Sequence, residues 1–258
     1  MYKLVCRNNI ENHSELEHFI DDLPLAFNKE GITLHDERNI IKSFTLDNDF
    51  IVVKRFKKPN LFQRIAYTFF RPSKMVRALW NANKLQQLGI DTPYVFAMIE
   101  IKNRVLLTDG FLLTAFCDKI PLEQALGHSG DFDHDIAKEF ARFMARLHEL
   151  GIVHGDLNST NVRFKKEADK CMFSLIDINR MKILPSSKKL SIEECLTNFT
   201  QFTANYKLLE FVITCYAEER KWNVESTVSR GLRIKIKHDK RWSRRKKFTR
   251  LFKKLLKV

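Results

Sequence analysis

Residues 151–180 constrain this chain more than any other stretch. They read G-I-V-H-G-D-L-N-S-T-N-V-R, then, after a short polar turn, C-M-F-S-L-I, then Asp177-Ile178-Asn179. The run follows a segment in which Ile136, Phe140, Phe143, Met144 and Leu147 recur at helical spacing up to Leu150-Gly151. A loop that leaves a buried helix and enters a hairpin can aim one carboxylate outward, and Asp156 stands where such a base would. Asn161 and Asp177, the second at the end of the apolar strand, offer hard oxygen ligands of the kind Mg²⁺ takes. Upstream, Ile51-Val52-Val53-Lys54-Arg55 places a lysine on an apolar strand, where its ammonium needs an anionic partner. Lys, Asp, Asn and Asp in that order are the parts of kinase-type phosphoryl transfer. Each residue alone has a plainer reading, because strand-end lysines are mostly solvated and Asp and Asn are common in turns. The joint order and spacing carry the specificity.

The rest of the chain is organised around this motif. Residues 1–30 read as polar and at best helix-prone. N-I-I-K-S-F-T-L-D-N-D-F-I-V-V-K-R-F gives two β-rich runs around Asp47-Asn48-Asp49. Residues 60–88 read as helical, with Pro72 and Ser73 opening a second segment and Gly89 closing it. Y-V-F-A-M-I-E-I-K-N-R-V-L-L-T-D-G-F-L-L-T-A-F offers two or three strands, with turns expected at Lys102-Asn103 and Asp109-Gly110. Helical character takes over from Asp133. The expected fold is α+β and two-lobed, protein-kinase-like, with a small β-rich N-lobe and a mainly helical C-lobe. Its expected divisions are residues 1–118, 119–229 and a basic tail, 230–258.

Charge singles out that tail. The chain carries 45 Lys and Arg against 31 Asp and Glu, a net +14. Residues 230–258 hold fourteen of the basic residues against the single Asp239, or +13, so 1–229 are left at +1. Phe248, Leu251, Phe252, Leu255 and Leu256 recur on one helical face with Lys and Arg on the other. Three readings follow: the stripe docks on the body, residues 242–258 lie on an anionic membrane surface, or the tail binds nucleic acid. The apolar stripe disfavours the last. Five scattered cysteines without a C-x-x-C pair suggest reduced thiols, and M-Y-K-L-V-C-R-N-N-I-E-N-H turns polar too early for a signal-peptide core. The expected location is cytoplasmic, peripheral on the inner face of the cytoplasmic membrane.

H-G-D-L-N-x-x-N at 154–161, C-M-F-S-L-I-D-I-N-R at 171–180, V-V-K-R-F-K at 52–57 and G-I-D-T-P at 89–93 resemble the lipopolysaccharide core kinases, the Kdo/heptose kinase family of Gram-negative bacteria. The resemblance runs from about Arg38 to Arg180. It implies Lys54 as the phosphate-binding lysine, Asp156 as the catalytic aspartate, and Asn161 and Asp177 as metal ligands. It also implies ATP with Mg²⁺ and transfer of the γ-phosphate to a sugar hydroxyl on a lipid-linked glycan. Asn158, two residues after Asp156, is as in those kinases, whereas protein kinases usually carry Lys there. The absence of an A-P-E segment after Asp177 points the same way. Two departures stand out. No glycine lies between Gly31 and Gly89, so the turn at Asp47-Asn48-Asp49 is not a glycine-rich phosphate cover, and any cradle there must be looser. No acidic residue lies from Thr68 to Ile90, so Trp80 or Asn81 occupies the place of the glutamate that kinases set against the lysine. Lys54 then depends on Asp177 or on phosphate for its counter-charge, and a non-catalytic kinase-fold binding module is the alternative to an active sugar kinase.

Overall fold

The computed structural model describes residues 2–8, 14–127, 131–168 and 170–255. They form two compact units, 1–119 with 174–180, and 120–173 with 181–258.

The first unit is an antiparallel sheet ordered β1 (Tyr2–Arg7), β5 (Val95–Asn103), β6 (Leu106–Ala115), β4 (Asp49–Arg55), β3 (Ile40–Leu46) and β2 (Ile32–Asp36). The period of two sends Ile51 and Val53 of β4, Ala97 and Ile99 of β5, and Phe111 and Leu113 of β6 into one core. Leu16, Phe19, Ile20 and Phe27 of helices α1 (Ser14–Asp22) and α2 (Leu25–Lys29) belong to the same core. Phe27 meets Phe111 edge to face, with centroids 5.4 Å apart. Helix α3 (Leu61–Ile65) continues as a π-helical turn over Ala66–Phe70, and α4 (Lys74–Gln87) follows. Ser73 caps α4, its hydroxyl accepting from the Val76 N–H, and Gly89 follows the helix with φ +66°.

Three features differ from the sequence reading. Tyr2–Arg7, read as helix-prone, pairs with β5 as an edge strand, with Val5 packed against the core. Asp109-Gly110 is strand rather than turn. Asp109 takes Arg55 from the neighbouring strand, with Nε 3.1–3.2 Å from both carboxylate oxygens. A Cβ on Gly110 would sit 2.1 Å from Met75 Cε of α4, so this glycine serves a close helix–sheet approach. The true β5–β6 turn is at Arg104-Val105, where Arg104 has φ +55°.

The second unit opens with β7 (Ile120–Pro121) and α5 (Leu122–Leu126), then α6 (His134–Glu149), whose N-cap Asp133 accepts from the Ile136 N–H at 2.9 Å. β8 (Ile152–Val153) pairs with β11 (Lys182–Ile183). β9 (Val162–Glu167) lies between β7 and β10 (Lys170–Leu175), and the last two residues of β10 group with the first unit. Helices α7 (Ile192–Asn198), α8 (Tyr206–Glu219) and α9 (Val224–Leu255) complete it. Its core is aromatic: Phe140 stacks on Phe202 at 4.6 Å and Phe143 on Phe173 at 5.1 Å.

The basic tail continues a helix that starts at Val224. Its first half docks: a Cβ on Gly231 would meet Ile213 Cδ1 at 2.6 Å, and buried Lys235 donates to Thr200 O and to Asp239 Oδ1, each at 3.0 Å. From Arg241 to Arg250 every residue is exposed, Trp242 and Phe248 included. The rest of the expected stripe, from Leu251 on, has side chains outside the description, and residues 256–258 lie outside the described residues altogether. Among the described residues no helix is long and apolar enough to cross a membrane.

Candidate functional site

Strand alternation puts Lys54 on the sheet face opposite Val53, in register with Leu112 of β6. Its Nζ lies 2.9 Å from Asp177 Oδ1 and 5.3 Å from the Phe56 ring centroid. The two side chains are 17% and 31% exposed, so the pair is shielded without being sealed. Asp177 follows the strand that brings it back to the first unit: Leu175 N–H donates to Asp91 O at 3.0 Å and Thr92 Oγ1 to Leu175 O at 2.8 Å. Asp177 holds φ +54°, a left-handed conformation that is strained for a residue with a Cβ. Asn179 Nδ2 donates to Asp177 Oδ1 at 2.6 Å, holding the carboxylate in that turn.

The place expected for a glutamate on α4 resolves between its two candidates. Trp80 is 58% exposed, while Asn81 Nδ2 donates to Ile178 O at 2.8 Å. Asn81 therefore fastens the Asp177 turn, and Asp177 supplies the counter-charge of Lys54. Other cations stand near. The Lys74 ammonium titrates below the ordinary lysine value, first because it is partly buried, then because Arg38, Arg180 and Lys54 act on it, with Asp177 opposing. Around Lys74 the charges of Arg38, Arg180 and Lys54 add up against that of Asp177, an arrangement that favours an anion.

The turn before Lys54 is tighter than the glycine count suggested. Asp47 and Asn48 take φ +51° and +64° in a two-residue hairpin loop. The Asp47 carboxylate accepts the N–H groups of Glu15 and Leu16 at 3.2 and 3.0 Å, and its own N–H donates to Glu15 Oε2 at 2.7 Å. It caps α1 and is no phosphate cover.

Asp156 and Asn161 come together in the second unit. Asn161 Nδ2 donates to Asp156 O at 3.0 Å. Asn158 caps the turn Ser159–Asn161 by accepting from the Thr160 N–H at 3.2 Å, so the residue that marks the subclass in sequence has a structural task. Gly155 has φ +74°, and its N–H donates to Asn198 Oδ1 at 3.3 Å. Asn198 Nδ2 donates to His148 Nε2 at 3.0 Å, and His148 Nδ1 lies 2.9 Å from Tyr216 Oη. With Nε2 accepting, Nδ1 carries the proton and donates to Tyr216. Arg220 Nη1 also donates to Tyr216 Oη at 3.0 Å. Burial foremost, then the nearby Arg220 charge, drives the His148 pKa down to about 3, so the ring is neutral. Burial pushes the Tyr216 phenol up, with the Cys195 sulfur adding to the rise. The sequence reading singled out neither Asn198 nor His148. His148 carried a faint signal as a histidine on the buried face of α6, and Asn198 carried none.

Antiparallel sheet followed by mainly helical unit, with a sheet lysine paired to the carboxylate that ends a later hairpin, is the architecture of the protein-kinase-like phosphotransferases. The chain belongs to the lipopolysaccharide kinase (Kdo/WaaP) family, whose model matches residues 57–194, just over half of it. It is 27% identical over 114 residues to the KEOPS complex subunit Bud32 of Pyrococcus abyssi, a match that spans 43% of this chain and 46% of that relative. The chain thus spans about half the length of this curated relative. Among solved structures it is similar to WaaP in complex with acyl carrier protein, with a TM-score of 0.54 and 14% identity over 82% of this chain and 88% of the other. A microcompartment-associated aminopropanol kinase aligns with a TM-score of 0.48 and 7% identity, over 86% of each chain. The family is one of kinases, and kinases in general use ATP with a divalent metal.

Proposed function

We propose that this chain transfers the γ-phosphoryl group of ATP to a sugar hydroxyl of a lipid-linked glycan of the lipopolysaccharide core, a Kdo or heptose unit. The observation that carries the reading is the 2.9 Å pairing of Lys54 with Asp177 inside a surplus of cations. Asp156 is the base in this reading: it takes the proton of the acceptor hydroxyl as that oxygen bonds to the γ-phosphorus and the bond to the β,γ-bridging oxygen breaks, leaving ADP. Lys54 exchanges part of its contact with Asp177 for phosphate oxygens. Asp177 and Asn161 would hold Mg²⁺. One carboxylate and one amide oxygen fit an ion that keeps waters and phosphate oxygens for its remaining positions. Bound there, the ion would neutralise charge on the transferring phosphate.

The exposed, cationic stretch from Arg241 to Arg250 supports the reading of 242–258 as a contact with an anionic membrane surface, where a lipid-linked acceptor resides. In that case the protein works peripherally on the cytoplasmic face. One observation favours a second reading, a binding module without turnover: Asn81 stands where kinases carry the glutamate that orients the lysine. Purified protein incubated with γ-labelled ATP, Mg²⁺ and an acceptor panel separates the two. The panel is rough-core lipopolysaccharide, its soluble deacylated glycan and a generic protein substrate. Label in the glycan is the expected result. Label confined to the protein substrate overturns the acceptor, and tight MgATP binding with no transfer selects the binding module.

A further inference from the structure

The segment Leu61–Phe70 is built inside out. Its polar side faces the protein: Arg64 Nε donates to Leu107 O at 3.1 Å, and Gln63 and Tyr67 line a small cavity with Met75 and Gly110. Thr68 Oγ1 donates to Arg64 O at 2.7 Å and contacts Val105 O at 3.4 Å. Asn60 and Gln63 close a capping box that fixes the start of α3. The apolar side faces solvent. Phe62 is 83% exposed and Phe70 80%, with Leu61, Ile65 and Phe69 also exposed and Val105 exposed in the adjoining turn. A contiguous outward patch of this kind marks a contact surface rather than a stray side chain.

Charge identifies what it contacts. Between Asp49 and Asp91 the chain has nine Lys and Arg and no acidic residue, and Lys57, Lys58 and Arg71 are exposed beside the patch. Aromatic and leucine side chains flanked only by cations suit the boundary of an anionic bilayer, with rings below the headgroups and ammonium and guanidinium groups at the phosphates. A second copy of the same face would set cation against cation.

We propose that Leu61–Phe70 is an interfacial anchor that seats the first unit on an anionic phospholipid membrane, independently of the C-terminal tail. The glycolipid reading gives this anchor its purpose, but its test stands apart from that reading. Full-length protein is sedimented with phosphatidylcholine vesicles containing about one-third phosphatidylglycerol, and with pure phosphatidylcholine, at low and high salt. Wild type should bind the anionic vesicles, more weakly at high salt. The double substitution Phe62→Ser/Phe70→Ser should lower binding on the order of tenfold or more, with melting temperature and MgATP affinity unchanged. Trp242→Ser/Phe248→Ser in the tail should leave residual binding that the first pair then removes. In a Phe70→Trp chain, vesicles with brominated acyl chains should quench emission more than they quench wild type. Unchanged binding by Phe62→Ser/Phe70→Ser overturns the anchor, as does absence of wild-type binding. So does a lowered melting temperature in that variant, or its loss of self-association in vesicle-free ultracentrifugation. A failed kinase reading would show up elsewhere, as absent label on the soluble glycan with vesicle binding intact.

Discussion

Lys54 and Asp177 in the first unit, and Asp156 and Asn161 in the second, are held by different physics. The first pair is held by charge: a half-shielded ion pair, with amides of Asn179 and Asn81 fixing the turn that presents the carboxylate. The second is held by a chain of mostly uncharged hydrogen bonds, from the exposed Gly155 N–H to buried Asn198, His148 and Tyr216, with Arg220 donating to the far end at Tyr216. A charged support can trade partners, and in the proposed reaction Lys54 must do so when phosphate arrives. A neutral buried support cannot trade without leaving polar groups unpaired, so it keeps the loop backbone in one place. In the proposed reaction the half that binds phosphate is the adaptable one, and the half that carries the base is the rigid one.

The comparison can be broken at each end. The largest effect is expected from Asp177→Ala, which removes the carboxylate proposed to hold Mg²⁺ and the partner of Lys54 together; calorimetry should find Mg-dependent nucleotide binding lost, and a normal affinity would sink the metal assignment. Asn198→Leu comes next. It strands His148 Nε2 in a buried place and removes the acceptor of the Gly155 N–H, at about 1–3 kcal/mol of stability by denaturant unfolding. Turnover should fall about tenfold with MgATP affinity nearly kept, because the support and not the binding half has been cut. An equal loss of affinity would show that the two halves are not separable.

Acid should act on the neutral half. His148 titrates near 3 in the folded chain and near 6.5 unfolded. The unfolded state therefore binds the extra proton between these values, and stability falls as pH drops below about 6.5, by up to about 1.4 kcal/mol per unit. Unfolding curves of His148→Gln, which has no such group, should lose this part of the slope. The smallest effect is none: all five cysteines are free thiols, so reductant should leave the melting temperature where it is. A large drop on reduction would expose a disulfide in the working protein.

What could be read from sequence follows the same division. The motif residues were legible because charged groups at fixed spacing on a loop and a strand have few other uses, and Ser73, Asp133 and Gly89 announced helix ends by local chemistry. The neutral support was not legible, since Asn198 lies on a helix far along the chain and resembles any helix-terminal asparagine until Gly155 is seen beside it. Asp109-Gly110 misled because the pair is a strong turn signal, and only the approach of Met75 and the pairing with Arg55 keep it in a strand. The helical reading of 60–88 left open which face of α3 is buried, and only the contacts of Arg64 and Gln63 show its polar side turned inward.

The central claim is that binding and base are separate supports serving one phosphoryl transfer. Asp156→Asn keeps the loop, its backbone bonds and the Lys54–Asp177 pair while removing only the base. Its MgATP affinity and its turnover on core glycan, measured side by side with wild type, test that claim most directly. The account predicts affinity within about twofold of wild type and turnover lower by on the order of 10²–10⁴; unchanged turnover, or lost affinity with turnover per bound nucleotide intact, would contradict it.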